Sequence, residues 1–396
     1  MKKVLFSFAI LAVATVMVSC GNKSGQAAES QEAAASEDSP AMQLLNSVPF
    51  TEEGLTSMIK TPKDEALTDV EYEALWLAYS KVNLNEEKLE LENSDALKAI
   101  HTLLREHKRP ANASAIQESL LTNSSPQVRG LAMGQFTSLF GVKKDNIQKL
   151  LTVLEKEENP YVLQQGVRAL SNELKTDGVA KFVFAQAKNE NPKVRRVAAW
   201  AIGNSWSQGV PGINDEANAL LADKDEEVRK AMLGCVGKLN DESFIPELVK
   251  VLNDDQQYKL HPEAMRSLYT LWYDYPFHKN TSKAAYEATI NYLKKKPRTE
   301  NIPAWSSIGE LRSKAESNYP AWQAKATYYN NAEYIKLMSD IATDVNANWL
   351  GRSAAIDVIA TIGTKADLER VQAAVKSNSA DQKQNLVLQA IERKLK

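Results

Sequence analysis

Cysteine is nearly missing from this chain. Cys20 and Cys235 are the two it has, and so few cysteines exclude the disulfide-rich class of small secreted folds. Histidine is almost as scarce, with four copies in 396 residues. His101 and His107 are six residues apart, about 240° round a helix at roughly 100° per residue, so they cannot share a metal there and read as solvated surface residues. His261 and His278 fall in or beside loops, close to Pro262 and Pro276, and belong to no spaced ligand set. There is no HExxH, no GxSxG, no phosphate-cradling glycine loop and no cysteine pair, which leaves no recognisable set for metal, nucleophilic or nucleotide chemistry. The acidic pairs Glu157-Glu158 and Asp254-Asp255 stand at helix ends and read as solvated termini, not as an acid/base dyad. An excess of basic charge is missing too: the formal net charge is −2, which gives no electrostatic footprint for nucleic acid. Alternating β-branched runs between turn residues, the mark of strands, are also absent.

What is present begins with MKKVLFSFAILAVATVMVSC. Lys2 and Lys3 precede an apolar run from Val4 to Val18 that is short for a membrane span and has the form of an export signal. Its end, Met17-Val18-Ser19-Cys20, resembles the lipobox of bacterial lipoproteins, with Met17 and Val18 as mild departures. That resemblance implies cleavage after residue 19 and acylation of Cys20, a signal peptide over 1–19 and a membrane-anchored mature chain. Cleavage removes two lysines, leaving 46 Lys and Arg against 50 Asp and Glu, a charge of −4. Residues 20–41 hold almost no large apolar side chains, so they cannot offset their ordering entropy by burial and are expected to form a flexible tether. Gly21 rather than Asp after Cys20, and no acidic cluster behind it, favour the outer membrane, facing the periplasm. With Cys20 acylated, Cys235 has no disulfide partner; its place among small residues makes it a buried structural thiol.

A repeat governs the rest. Val128, Val162, Val194 and Val228 head matching stretches, separated by 34, 32 and 34 residues. A weaker copy lies around Leu260, and later copies begin at Gly351 and Gln384. A fixed period of this size marks a solenoid. Asn159, Asn191 and Asp225 stand where N-caps are needed, and Pro160 and Pro192 occupy first turns, where a missing N–H costs nothing. Between copies lies a second amphipathic stretch, with Ile147, Leu150, Leu151 and Leu154 at i, i+3, i+4 and i+7, and Ile245, Leu248, Val249 and Leu252 repeating it. Each unit is thus a helical hairpin that must stack on its neighbours to bury both faces.

The stretches VRRVAAWAIGNS and VRKAMLGCVGKLND resemble HEAT repeats, in particular the short bacterial units first noted in bilin lyases. The resemblance implies an all-α chain wound as a right-handed alpha-alpha superhelix, a HEAT-like solenoid, and is nearly silent on function. The expected division is a helical N-terminal capping region over 42–121, HEAT-like repeats over 122–272, divergent aromatic-rich repeats over 273–347 and C-terminal HEAT-like repeats over 348–396. SDALKAIHTLLREHKRP carries Leu97, Ile100, Leu103 and Leu104 on one helical stripe of the capping region.

Arg129, Arg195, Arg229 and Arg352 recur at one template position. A catalytic arginine is needed once, whereas a packing arginine is needed in every unit, so these should pair with carboxylates or carbonyls and set the stacking of repeats. Arg196 and Trp206 are particular to their copy and stand as candidates for contact with a partner, while Trp200 reads as a large core filler. Residues 272–349 hold four of the seven tryptophans and eight of the thirteen tyrosines. Either these rings fill wider gaps between helices, or Trp305, Trp322, Tyr328 and Tyr329 form an exposed platform for a glycan or peptide. The sequence therefore points to a non-catalytic scaffold in the bacterial cell envelope. It needs no cofactor or metal, binds no nucleic acid, and contacts protein partners and, through Cys20, the membrane. A glycan- or peptide-binding lipoprotein is the alternative.

Overall fold

A computed structural model describes residues 39–273, 281–295 and 319–396. The export signal, Cys20, His278 and Trp305 lie outside the described residues. Among those described, twenty α-helices account for nearly all regular structure, and the chain is an α solenoid. No described helix is long and apolar enough to cross a membrane.

The template positions fold as their chemistry dictates. Val128, Val162, Val194 and Val228 are all completely buried, each near the start of the second helix of its unit. These helices are Pro126–Phe140, Pro160–Leu170, Pro192–Ile202 and Glu226–Leu233. Asn159 accepts from the backbone N–H groups of Tyr161 and Val162 at 3.0 and 3.4 Å. Asn191 accepts from Lys193 at 2.9 Å, and Asp225 from Val228 at 3.1 Å. Each second helix packs on the second helix of the following unit, through His261–Trp272. The first helices, such as Lys144–Leu154 and Val179–Gln186, pack against their own partners. Ile147, Leu150, Leu151 and Leu154 are buried as one stripe. In Ile245–Asn253 the stripe is rotated from the expected one: Phe244, Leu248, Val251 and Leu252 are buried, and Val249 is only partly covered.

Small residues let the second helices approach closely. A Cβ on Gly203 would lie 2.2 Å from the Cys235 sulfur, and one on Gly237 would lie 2.3 Å from the Ser267 carbonyl oxygen. The Gly237 N–H also donates to Ser267 Oγ at 3.0 Å. Cys235 is buried in this seam, its thiol facing the Ala231 carbonyl at 3.1 Å, and burial pushes its pKa up to about 12. A thiol so placed is inert packing.

The recurring arginines form a ladder. Arg129 binds Glu157 with two parallel bonds of 2.7 and 3.1 Å, and its remaining nitrogen donates to the Asn123 and Ser124 carbonyls. Arg195 does the same with Asp223, at 2.7 and 2.9 Å, and with the Asn189 and Glu190 carbonyls, both at 2.9 Å. Arg352 repeats the fork with Asp381, at 3.1 and 2.7 Å, where both side chains are essentially unexposed. Each carboxylate stands two residues before the N-cap of the next second helix and accepts the backbone N–H of that cap residue: Asn159, Asp225 and Lys383 respectively. One carboxylate thus ties the arginine of one unit to the helix start of the next, in the bidentate geometry that suits guanidinium. Glu157, expected as a solvated terminus, is a rung of this ladder. The exposed-terminus reading failed because the turn places it over the preceding unit's arginine. The ladder is interrupted. Leu163 replaces arginine in one copy, and Arg229 binds only the Asp223 and Lys224 carbonyls.

The N-terminal region departs from the expectation of helices alone. The first helix, Pro40–Asn46, takes Pro40 and Ala41 out of the expected tether, and Ala41 is buried. Leu84–Asn85 pairs antiparallel with Glu90–Leu91 in a two-stranded hairpin, too short to show an alternating pattern. His107, expected at the surface, is buried with Nδ1 at 2.9 Å from the Leu103 carbonyl and Nε2 at 3.2 Å from that of Thr61. It falls one residue past the Asp95–Glu106 helix, so the helical angle used for it does not apply. His101 is exposed, against the Tyr79 ring at 5.8 Å. Beside this loop, Glu71 is buried and accepts from Thr61 Oγ1 at 2.6 Å, from Thr68 Oγ1 at 2.9 Å and from three backbone N–H groups. Burial alone would raise its pKa, but these donors outweigh it and hold the carboxyl at about 2.

Candidate partner-binding site

Among the described residues, the aromatic middle is core. Trp272 and Trp322 are completely buried with ring centroids 5.9 Å apart, and Tyr329 stacks on Trp272 at 6.4 Å. Trp322 donates its indole N–H to the Trp272 carbonyl at 2.8 Å, satisfying its one polar atom inside. Tyr273, Tyr286 and Tyr334 complete the cluster. The exposed-platform expectation is therefore corrected for Trp322 and Tyr329, which face inward, and Tyr328 is half-buried with its hydroxyl 3.5 Å from the Trp272 carbonyl. The rings fill the space that small residues close elsewhere. Trp349 is likewise packed against the core.

The exposed rings lie instead in the regular repeats. Trp206 is 62% exposed, on a short 3-10 turn whose backbone is held by Asn204. Trp200, expected in the core, is 46% exposed. It stands four residues after Arg196 on the Pro192–Ile202 helix, so the two side chains share one face. The Arg196 guanidinium lies 5.2 Å from the Trp200 ring centroid, a cation–π contact worth about 0.5–1 kcal/mol at such a site. Arg196 Nε is covered from solvent and has no hydrogen-bond partner.

These two residues open a recess of about 290 Å³ that crosses three consecutive second helices. Arg196 and Trp200 come from the first, Glu227, Lys230 and Ala231 from the next with Gly234, Cys235 and Lys238 just beyond it, and Glu263 and Arg266 from the third. Gly234 is the residue that matches Trp200 one unit later, and the place a side chain would take there is filled by the Glu263 carboxylate, 2.7 Å from where a Cβ would stand. Lys230 likewise matches Arg196. The carboxylates are already matched: Glu263 faces Arg266 at 3.6 Å and Glu227 faces Lys230 at 4.0 Å. Arg196 and Lys238 have no carboxylate partner among the described residues. Trp206 does not line this recess, so the structure does not bring the two sequence-chosen residues of this copy into one pocket.

Among the described residues, no group of three His, Cys, Asp or Glu side chains is placed to hold a metal. His261 is buried between the Tyr292 hydroxyl at 3.2 Å and the Asp254 carbonyl at 3.0 Å, a packing role.

With this geometry in place, the comparisons with known proteins can be read. Residues 180–268 match the family model described as HEAT repeats, a span that includes every residue lining the recess. The chain thus carries a HEAT-repeat domain. HEAT repeats are helical-repeat scaffolds for protein interaction. No curated protein matches the chain. Among solved structures, a crystal structure of an engineered protein aligns with 90% of this chain and 99% of its own, at 16% identity and a TM-score of 0.34, a score too low to argue from.

Proposed function

We propose that this protein is a non-catalytic scaffold, held in the bacterial cell envelope by a lipid on Cys20, whose HEAT repeats dock a protein partner. The carrying observation is the recess at Arg196 and Trp200, where a repeat that buries nearly every other large apolar side chain leaves an indole and an unmatched cation at the surface. Such aromatic and arginine anchors are the residues that dominate protein interfaces. The lipobox-like Met17-Val18-Ser19-Cys20 and the low-hydrophobicity stretch behind it support anchoring at the outer membrane, facing the periplasm.

Two measurements test the reading. Cells fed labelled palmitate should incorporate the label into the parent protein and not into Cys20→Ala; equal labelling of both removes the anchor. Crosslinking in intact cells followed by purification should recover one partner in fixed proportion. Recovery of the chain alone, under crosslinking that captures known envelope complexes, sinks the scaffold reading.

A further inference from the structure

We infer that the recess spanning Pro192–Ile202, Glu226–Leu233 and His261–Trp272 binds an acidic segment of a partner protein, with one aromatic or leucine side chain of that segment against Trp200. This rests on the scaffold reading and names the surface and the chemistry of its partner. Three observations carry it. The recess is lined by Arg196, Lys230, Lys238 and Arg266 against Glu227 and Glu263, so it has net positive charge in a chain whose total is negative. Its two carboxylates each sit beside a cation one turn on, which leaves Arg196 and Lys238 as the charges to be matched from outside. Finally, Trp200, with Ala231 beside it in the lining, supplies an apolar surface next to those cations.

The occupant is a peptide rather than a small anion because of extent and mixture. Neighbouring helix axes lie about 8–10 Å apart, so a recess crossing three helices spans roughly 20 Å, the reach of about six extended residues. A free phosphate would use one cation pair and leave the indole uncovered. A segment with carboxylates flanking one apolar residue meets all three features: a carboxylate on Arg196 gives the bidentate bond its guanidinium lacks, a second meets Lys238, and the apolar side chain covers the indole.

The test is fluorescence anisotropy with the detergent-solubilised full-length chain and labelled synthetic peptides that place one Phe among glutamates, among glutamines or among lysines. The glutamate peptide should bind, and bind more weakly as salt is raised. Arg196→Glu combined with Lys238→Glu should weaken it at least about tenfold, and Trp200→Ala about three- to fivefold. Lys365→Glu, in the C-terminal repeats, should leave binding unchanged, and all variants should unfold in a single transition close to that of the parent. Glutamine or lysine peptides binding as tightly, parent affinity in the Arg196/Lys238 variant, or full displacement of the peptide by inorganic phosphate would each overturn the inference. A partner crosslinked in cells equally by the parent and by the Arg196/Lys238 variant removes this site while leaving the scaffold reading standing.

Discussion

Trp200 and Trp272 stand for two regions built by opposite means. In the regular repeats, glycine and alanine let helices close on one another, an arginine–carboxylate ladder fixes their stacking, and both tryptophans, Trp200 and Trp206, are left at the surface. In the segment from Trp272 to Tyr334, rings are the filling: Trp272, Tyr273, Tyr286, Trp322, Tyr329 and Tyr334 pack against one another, mostly edge to face. Aromatic density therefore marks a core built from rings, and it is the tryptophans of the small-residue region that face solvent. In a helical repeat, a ring's place on the template says more about exposure than the number of rings around it.

The sharpest way to break the contrast is to truncate both tryptophans. Trp272→Ala should cost about 3–5 kcal/mol of stability, because it opens a cavity among rings that cannot collapse. Trp200→Ala should stay within about 1 kcal/mol of the parent, counting its cation–π contact. Denaturant unfolding of both variants measures the difference, and similar losses would show that the two regions are packed alike.

Removing a rung comes next. Arg352→Ala should cost about 3–5 kcal/mol, since it leaves the Asp381 carboxylate buried without its partner. Arg229→Ala, which has only carbonyls to lose, should cost about 1–2 kcal/mol. Thermal melts of the pair separate a ladder of ion pairs from a set of interchangeable carbonyl clamps.

Acid should act on both the ladder and the N-terminal region. Asp381 and Asp223 are held below the ordinary carboxylate range. For Asp381 the leading cause is the bond from Arg352. For Asp223 burial pushes upward, and the bonds from Arg195 and from the Asp225 backbone outweigh it. Glu71 lies at about 2. A carboxyl whose folded pKa is depressed stabilises the fold fully above its unfolded pKa and loses that contribution as pH falls through the folded value. Stability should accordingly be flat above about pH 5 and fall between about pH 5 and 2. Glu71→Gln should flatten part of that fall while lowering stability at neutral pH by on the order of 2–3 kcal/mol. A melt that does not change over that window would remove these carboxylates from the account.

The smallest expected effect fills the gap at Leu163. Leu163→Arg with Asn189→Asp should restore a rung and stay within about 1 kcal/mol of the parent, because a buried ion pair and a packed leucine are close in energy. Leu163→Arg alone should lose more, and the double-mutant cycle reads the coupling.

Much of this was legible in the residues. The valine spacing gave the period, Asn159, Asn191 and Asp225 gave the helix starts, and the recurrence of arginine at one position separated packing from chemistry. The place of Trp200 was legible too, although the sequence reading set it in the core: Val194, Val197, Ala198, Ala201 and Ile202 form the buried stripe, and Arg196 and Trp200 fall between its turns. What sequence does not carry is the meeting of units. Lys238, Glu263 and Arg266 join Arg196 through stacking between helices 34 or more residues apart, and no local pattern announces such a neighbourhood. Glu157 and His107 were misplaced for the same reason, since turns, not helical angles, decide where they point.

The ladder has a mechanical consequence. Because each carboxylate grips both the unit before it and the helix start after it, adjacent units share a clasp, and load passed along the chain runs through these clasps. The stack lacks that clasp at Leu163, where leucine stands in for the arginine, and beyond Arg229, which reaches only carbonyls. Pulled from its two ends, the protein should part first at those seams and give way in blocks of one or more whole units. Bent instead of pulled, the stack should yield at the same places.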